Sequence, residues 1–193
     1  MILLVEDNSE IAESLEKYVE RELRVNVTIA AHMKDAENLI GANVNGFAAF
    51  IVDLMLPKDE PQLTALVELD QQRAKALAEL AEGTRGDADY LDEKTAALRY
   101  RVDELDREID ENLALEGGCE ILEWYSDQLH SGQPSENRQP LDLPVIIFTA
   151  RGLDEVRSRC ERIVTRKCLV WREKPIDEKD IVNDLKDLLD LKS

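Results

Sequence analysis

Polar side chains follow four short apolar runs in this sequence, and their types are those that handle metal ions and phosphate. Glu6 and Asp7 come after ILLV, and Asp53 comes after the apolar stretch FIV. Thr149 ends the run VIIFT, and Lys174 follows LVWRE. In a parallel sheet covered by helices, binding and catalytic groups collect at the carboxyl ends of the strands. The sequence therefore predicts that three acids, a hydroxyl and an amine meet at one edge of a sheet.

The three acids predict a metal site. Carboxylates that lie close together repel and raise one another's pKa unless a cation lies between them. A hard divalent ion that prefers oxygen ligands, such as Mg2+, suits a cluster of this kind. We therefore predict that Glu6, Asp7 and Asp53 hold Mg2+.

Asp53 is the candidate nucleophile of this group. With its charge offset by a metal, it is suited to attack a phosphoryl group and form an aspartyl phosphate. Lys174 is suited to pair with one phosphate oxygen, and Thr149 to donate a hydrogen bond to another. Each residue alone has an ordinary explanation; Glu6 and Asp7, for example, could cap the first helix. Their combination indicates a phosphorylation site.

The elements that position these residues follow from the hydrophobic pattern. Short apolar runs alternate with segments of helical period, which is typical of a parallel sheet with helices on both faces. We predict an α/β fold with five helices and a polar loop over 131–143. The predicted strands are 2–5, 25–30, 47–52, 144–149 and 168–171.

Residues 59–116 interrupt this alternation and predict an antiparallel helical hairpin with a coiled-coil seam. The block GTRGDAD at 83–89 breaks the helical pattern between its two halves. The segment carries 17 acids and 7 bases, so it holds more than half of the chain's net charge of −18. The predicted seam residues are Leu63, Leu66, Ala74, Leu77 and Ala81, then Leu91, Thr95, Leu98, Val102, Leu105 and Ile109.

Length and composition limit the remaining possibilities. A chain of 193 residues fits one domain with an insertion. The 42 acids against 24 bases argue against nucleic acid or an anionic membrane as a partner. No apolar stretch has the length of a membrane span and no leader pattern opens the chain, so we expect a cytoplasmic protein. The three scattered cysteines predict core thiols, with neither a disulfide framework nor a zinc site.

Four motifs together resemble the receiver domain of two-component response regulators, the CheY-like family. They are LLVEDN, VDLMLP, VIIFTA and EKP, each at a predicted strand end and in the family's order. The resemblance covers 1–58 and about 117–193, which leaves 59–116 as an insertion. It implies a flavodoxin-like, doubly wound five-stranded parallel sheet of order 2-1-3-4-5.

The resemblance also implies roles for the site residues. Asp53 is expected to be the phosphoacceptor, and Lys174 the lysine that binds phosphate. Asp7 and Asp53 are expected to ligate Mg2+ together with the backbone carbonyl of Met55, with Glu6 acting through water.

Further roles concern the switch that reads the phosphate. Thr149 is expected to be the switch hydroxyl, and Trp171 occupies the aromatic switch position, where Tyr or Phe is more usual. Pro175 is expected to follow a cis peptide bond. The small Ala150 leaves the phosphate open to a donor, and Arg151, like Met55, holds a position that tunes phosphate lifetime in the family.

These roles predict a single-domain response regulator that accepts a phosphoryl group from a histidine kinase or phosphotransfer protein. It would then switch contacts with an output partner, and it would be no enzyme beyond self-catalysed phosphotransfer and autodephosphorylation. An alternative is a vestigial receiver scaffold whose acidic hairpin mediates homodimerisation or partner binding. An aspartyl-phosphate phosphatase is disfavoured, because Met55 stands where such enzymes carry a general acid.

Overall fold

The computed structural model describes residues 1–83, 91–114, 116–131, 139–149 and 154–190. Ala150, Arg151, most of the loop predicted over 131–143 and the break predicted at 83–89 therefore lie outside the described residues, apart from Gly83 at the end of a helix. The described chain forms five strands and seven α-helices. The five predicted helices and the two helices of the predicted hairpin are all present.

The five strands form one parallel sheet in the order β2-β1-β3-β4-β5, as the resemblance predicted. Each observed strand overlaps its predicted range, with ends that differ by up to two residues. The strands are β1 (Ile2–Val5), β2 (Val27–Ala30), β3 (Ala49–Asp53), β4 (Val145–Thr149) and β5 (Leu169–Glu173). A short 3-10 turn, Arg166–Cys168, leads into β5.

Helices cover both faces of the sheet, as the near-continuous apolar strands require. The helices are α1 (Ser9–Leu23), α2 (Met33–Ala42), α3 (Glu60–Gly83), α4 (Leu91–Asn112), α5 (Gly117–Leu129), α6 (Asp154–Ile163) and α7 (Glu178–Asp190). Alternate residues of each strand enter opposite layers of the core: Leu3 packs with α2 and α5, and Leu4 packs with α1 and α7. The doubly wound α/β architecture is thus confirmed.

The helices α3 and α4 pack along each other in antiparallel directions. Arg73 of α3 pairs with Asp106 of α4, and Arg101 of α4 donates to Gln72 of α3 at 3.1 Å. At the base of the pair, an antiparallel bridge joins Leu56 to Ala114. The Leu56 N–H donates to the Ala114 carbonyl at 3.3 Å, and the Ala114 N–H donates to the Leu56 carbonyl at 2.9 Å.

The face of α3 that packs on α4 differs from the predicted seam by one position. The predicted Ala74, Leu77 and Ala81 are exposed. The shielded residues recur at intervals of three and four: they are Leu66, Leu69, Arg73, Ala76 and Leu80. Arg73 is among them, and its guanidinium pairs with Asp106 of α4. Apolar spacing alone passes over a seam position held by a charged residue.

Three further expectations concern cysteines, histidines and membrane spans. Cys119, Cys160 and Cys168 are buried thiols, as predicted. For the histidines we expect surface or helix-end roles rather than metal ligation, and His32 has a helix-end role: it is the buried N-cap of α2, and its Nδ1 accepts from the Asp35 N–H. No helix among the described residues is long and apolar enough to cross a bilayer.

Candidate functional site

Three carboxylates converge at the carboxyl edge of the sheet. Glu6 and Asp7 follow β1, and Asp53 is the last residue of the neighbouring β3. One oxygen from each of the three lies within 4.8 Å of the others. Glu6 and Asp53 are buried, and Asp7 is half-buried. The predicted cluster of acids is therefore present, and its oxygens form a donor set of the kind that a hard divalent cation prefers.

Lys174 brings a positive charge into this cluster from the end of β5. Its Nζ donates to Asp53 Oδ2 at 2.7 Å and to Glu6 Oε2 at 3.0 Å. The peptide bond between Lys174 and Pro175 is cis, as expected. The Lys174 N–H donates to the Thr149 carbonyl at 2.9 Å, which ties the lysine to the end of β4.

Asn8 explains why Glu6 and Asp7 are free to face the cluster. The Asn8 side chain caps α1 by accepting from the N–H groups of Glu10 and Ile11, at 3.0 and 3.2 Å. The Asn8 N–H in turn donates to Glu6 Oε1 at 3.0 Å. The simple alternative, in which Glu6 and Asp7 serve as helix caps, is therefore wrong: Asn8 takes that role.

Asp53 is fixed by backbone contacts on both sides. The Met55 N–H donates to Asp53 Oδ1 at 3.2 Å, which leaves Oδ2 to Lys174. Gly118, in the first turn of α5, packs so closely on the end of β3 that a Cβ there would overlap the Asp53 carbonyl and lie 2.9 Å from Val52 Cγ1. The close approach of α5 thus requires glycine at this position and holds the strand end that carries Asp53.

Burial raises the pKa of all three carboxyl groups. For Glu6 the pKa rises to about 7, because burial and the neighbouring Asp53 charge outweigh the attraction of Lys174. Burial also raises the pKa of Asp7 and of Asp53, and Lys174 opposes the rise in both. Burial disfavours the charged form of Lys174, but the charges of Asp53 and Glu6 outweigh it and raise the lysine pKa. The pocket therefore carries uncompensated negative charge that a cation would stabilise.

The remaining predicted residues lie around this centre at different distances. Met55 lines the same cleft as the acids. Thr149 is buried at the end of β4, one position beyond the residue paired with Asp53, and is not among the residues that line the cleft. Trp171 lies on β5, half-buried against the layer formed by α2, α5 and α6, with the Arg157 guanidinium 5.8 Å from its ring centre. The structure thus brings the proposed metal ligands and Lys174 together, and places the two switch candidates on adjacent strands.

One wall of the site comes from residues outside the four sequence motifs. A cleft of about 500 Å3 lies over the acids, and one of its walls comes from the base of the α3–α4 pair. The signal was available: α3 begins only seven residues after Asp53, so its first turns must lie near the strand end. The residues that this pair contributes are Leu63, Leu66, Val67, Asp70, Asp110 and Leu113.

Comparison with known proteins shows which solved structures this fold resembles. No protein-family model and no curated protein matches the sequence. Solved structures do match. The receiver domain of a Francisella response regulator has a TM-score of 0.54 and 13% identity, covering 100% of this chain and 98% of that one. A CheY-like receiver domain protein from Methanospirillum hungatei has a TM-score of 0.52 and 17% identity, covering 99% and 94%.

A receiver domain protein from Clostridium thermocellum is similar as well, with a TM-score of 0.50, 14% identity and coverage of 99% and 94%. The chain has the receiver fold. In a sheet of this order the ligand crevice lies at the carboxyl ends of β1 and β3, where the strand order reverses. The receiver fold thus positions Asp7 and Asp53 on the two sides of that crevice.

Proposed function

We propose that this chain is a response-regulator receiver that accepts a phosphoryl group on Asp53 in a reaction dependent on Mg2+. The observation that carries the proposal is the convergence of Glu6, Asp7 and Asp53 with Lys174 Nζ at 2.7 Å from the candidate nucleophile. Hydrogen bonds from Lys174 and from the Met55 N–H hold both oxygens of Asp53 and favour its ionised, nucleophilic form.

Mg2+ fits the donor set, because three carboxyl groups with raised pKa values lie close together in one cleft. We propose that Asp7, Asp53 and the Met55 carbonyl hold the ion, with Glu6 acting through water. When bound, the ion supplies positive charge that offsets the acids and the incoming phosphoryl oxygens. Lys174 then exchanges its contact with Asp53 for one with a phosphate oxygen.

Thr149 and Trp171 are the proposed relay from the site to a partner. Thr149 ends β4, the strand next to β3 and Asp53, and Trp171 lies on β5, one strand further. We propose that a change at the phosphate reaches Trp171 through these adjacent strands. The donor is proposed to be a histidine kinase or phosphotransfer protein, and the output a change in protein contacts. The only chemistry we assign is phosphotransfer to Asp53 and its later hydrolysis.

We also propose that residues 1–58 and 117–193 form the receiver domain and that 59–116 form a hairpin inserted into it. The packing of α3 on α4 and the backbone bridge at their base support this division. A vestigial scaffold that works through the hairpin is the weaker hypothesis, since every member of the phosphorylation set is present. A homodimer through the hairpin remains compatible with either function.

Acetyl phosphate and Mg2+ test the proposal directly. Intact-mass measurement should show a gain of one phosphoryl group on the wild type and none on Asp53→Asn. Asp59→Asn is the matched control, because Asp59 is a nearby exposed acid whose contact is the Gln62 N–H at the start of α3. An equal gain on Asp53→Asn, or no gain on the wild type, would reject the function.

A further inference from the structure

The base of the inserted helices lines the cleft over the proposed phosphorylation site with apolar residues as well as with Asp70 and Asp110. Leu63 and Val67 on α3 and Leu113 after α4 line the same cleft as Asp53 and Lys174. Val67 remains 48% exposed, so it offers apolar surface at the mouth of the cleft. A cleft that joins an acid-rich floor to an apolar wall can distinguish ligands by the apolar group attached to a phosphoryl group.

The lining of the cleft shows how close α3 lies to the acids. Asp70, one turn after Val67 on α3, lines the same cleft as Asp7. Backbone bonds between Leu56 and Ala114 fix the point at which the helices leave the sheet.

We propose that Leu63, Val67 and Leu113 are specificity-determining residues that contact the leaving group of the phosphodonor and favour an imidazole ring over smaller groups. This inference rests on the proposed function of Asp53. The phosphoryl group must lie at Asp53 and Lys174, so the rest of the donor extends through the cleft. An imidazole ring presents flat, largely apolar surface suited to such a wall.

The transfer step is balanced without any further reagent. An oxygen of Asp53 forms a bond to phosphorus, and the bond between phosphorus and the imidazole nitrogen breaks. The electron pair of that bond returns to the nitrogen. The second ring nitrogen of the donor takes up a proton from solvent before transfer, so imidazole leaves as a neutral molecule.

Three small donors that differ in their leaving groups test the wall. They are phosphoramidate, acetyl phosphate and N-phosphoimidazole, each supplied with Mg2+ to the full chain, with the rate of phosphorylation followed by intact mass. In the wild type, N-phosphoimidazole should react faster relative to phosphoramidate than it does in the variants. The ratio of the two rates is the readout, since it cancels any general effect on Asp53.

Val67→Ala and Val67→Trp are the informative variants. Val67→Ala removes apolar contact with the ring, and Val67→Trp fills the mouth of the cleft. Each should lower the rate ratio by roughly tenfold, the effect expected when a pocket loses or clashes with one or two carbon groups. The matched controls are Leu77→Ala and Leu77→Trp, because Leu77 is 39% exposed on the same helix but does not line the cleft.

The outcomes separate this inference from the function beneath it. If the ratio falls in the Val67 variants and not in the Leu77 variants, the wall contacts the leaving group. If both sites give the wild-type ratio while Asp53 is still phosphorylated, the inference is wrong and the function stands. If the wild type accepts a phosphoryl group from none of the three donors, the proposed function fails and takes this inference with it.

Discussion

The ammonium group of Lys174 lies 2.7 Å from Oδ2 of Asp53, although 121 positions separate the two residues in the chain. The same Nζ also lies 3.0 Å from Glu6, so a single positive charge compensates two buried carboxylates. Asp7 is the third acid of the cluster, so one lysine faces three carboxyl groups, and this imbalance should affect the stability of the protein with and without a metal.

Removing the lysine should destabilise the metal-free protein. In Lys174→Ala, Glu6 and Asp53 lose their compensating charge while staying buried, so the free energy of unfolding should fall by about 2 kcal/mol. Urea denaturation in EDTA measures this change. Lys167→Ala is the control: that lysine is exposed, lies 3.5 Å from Asp142, and should change stability by less than about 0.5 kcal/mol. Equal effects of the two substitutions would contradict the assigned role of Lys174.

The pKa of Glu6, about 7, predicts how stability without metal depends on pH. Folding raises this pKa above its ordinary value of 4.5, so the folded chain holds the proton more tightly than the unfolded chain. Stability should therefore fall as pH rises from about 4.5 to about 7 in EDTA. The raised pKa values of Asp7 and Asp53 act in the same direction, and that of Lys174 acts only at alkaline pH. Denaturation curves across this range, compared with Glu6→Gln, check the slope.

Mg2+ affinity should rise over the same pH range. Binding a dication requires ionised carboxylates, so protons compete with the metal until pH exceeds the pKa of Glu6. Titration calorimetry should show tighter binding at about pH 8 than at about pH 6, with protons released at the lower pH. Glu6→Gln should flatten this dependence. An affinity independent of pH in the wild type would argue against a metal at these acids.

Alanine substitutions at two glycines should change the stability of the protein in opposite directions. Gly118→Ala places a Cβ against the Asp53 carbonyl, 2.9 Å from Val52 Cγ1 and 3.1 Å from Leu54 Cα, and should cost about 1–3 kcal/mol. It should also slow phosphorylation, because the backbone it pushes carries the nucleophile. Gly41→Ala, near the end of α2, meets Trp124 at an ordinary 3.5 Å and should stabilise the protein by up to about 1 kcal/mol. Thermal denaturation of both variants tests the pair; a tolerated Ala at 118 would refute the packing.

The proposed domain division predicts the result of removing the hairpin. Replacing 60–111 with a short Gly-rich linker should leave the receiver fold intact, because α3 and α4 pack mainly on each other. Far-ultraviolet circular dichroism and phosphorylation by phosphoramidate are the two measurements. Loss of cooperative unfolding in the shortened chain would show that 59–116 belong to the receiver core.

Trp171 should report the state of Asp53. Among the buried polar side-chain atoms of the described residues, its indole nitrogen lacks a hydrogen-bond partner, and Arg157 lies over its ring. The indole environment can change when Lys174, three residues on, moves to a phosphate oxygen. In a Trp124→Phe background, beryllofluoride with Mg2+ should shift the Trp171 emission, and Asp53→Asn should abolish the shift. An emission unchanged by beryllofluoride would remove Trp171 from the relay.

The sheet and the acids at its edge could be predicted from sequence, because parallel strands all end at the same edge of a sheet. Asp7, Asp53 and Lys174 could therefore be grouped before any distance was known. The seam of α3 was displaced because Arg73 occupies a place where hydrophobic periodicity expects an apolar residue. A capping role for Asp7 stayed open as an alternative, since Asp and Asn are similarly favoured at helix N-caps and only the geometry shows that Asn8 caps α1.

The contacts of the hairpin base with the site could not be predicted in detail, because they depend on the direction in which α3 leaves the sheet. That direction is set by long-range backbone bonds. The N–H groups of Met33 and Lys34, at the start of α2, donate to the carbonyls of Pro57 and Lys58 at 3.0 Å. Such backbone hydrogen bonds do not depend on side-chain type, so the hydrophobic pattern of the sequence does not reveal them.

The bridge between Leu56 and Ala114 has a consequence for how this architecture can change over evolution. It holds the two ends of the inserted segment side by side. The connection to the sheet is therefore the same whatever the length of the segment between these ends. Closing a flexible loop costs only about 0.6 kcal/mol more for each doubling of its length. Inserted segments of very different length can therefore replace one another between Leu56 and Ala114. Each would place its own first residues beside the cleft over Asp53 while the site itself stays the same.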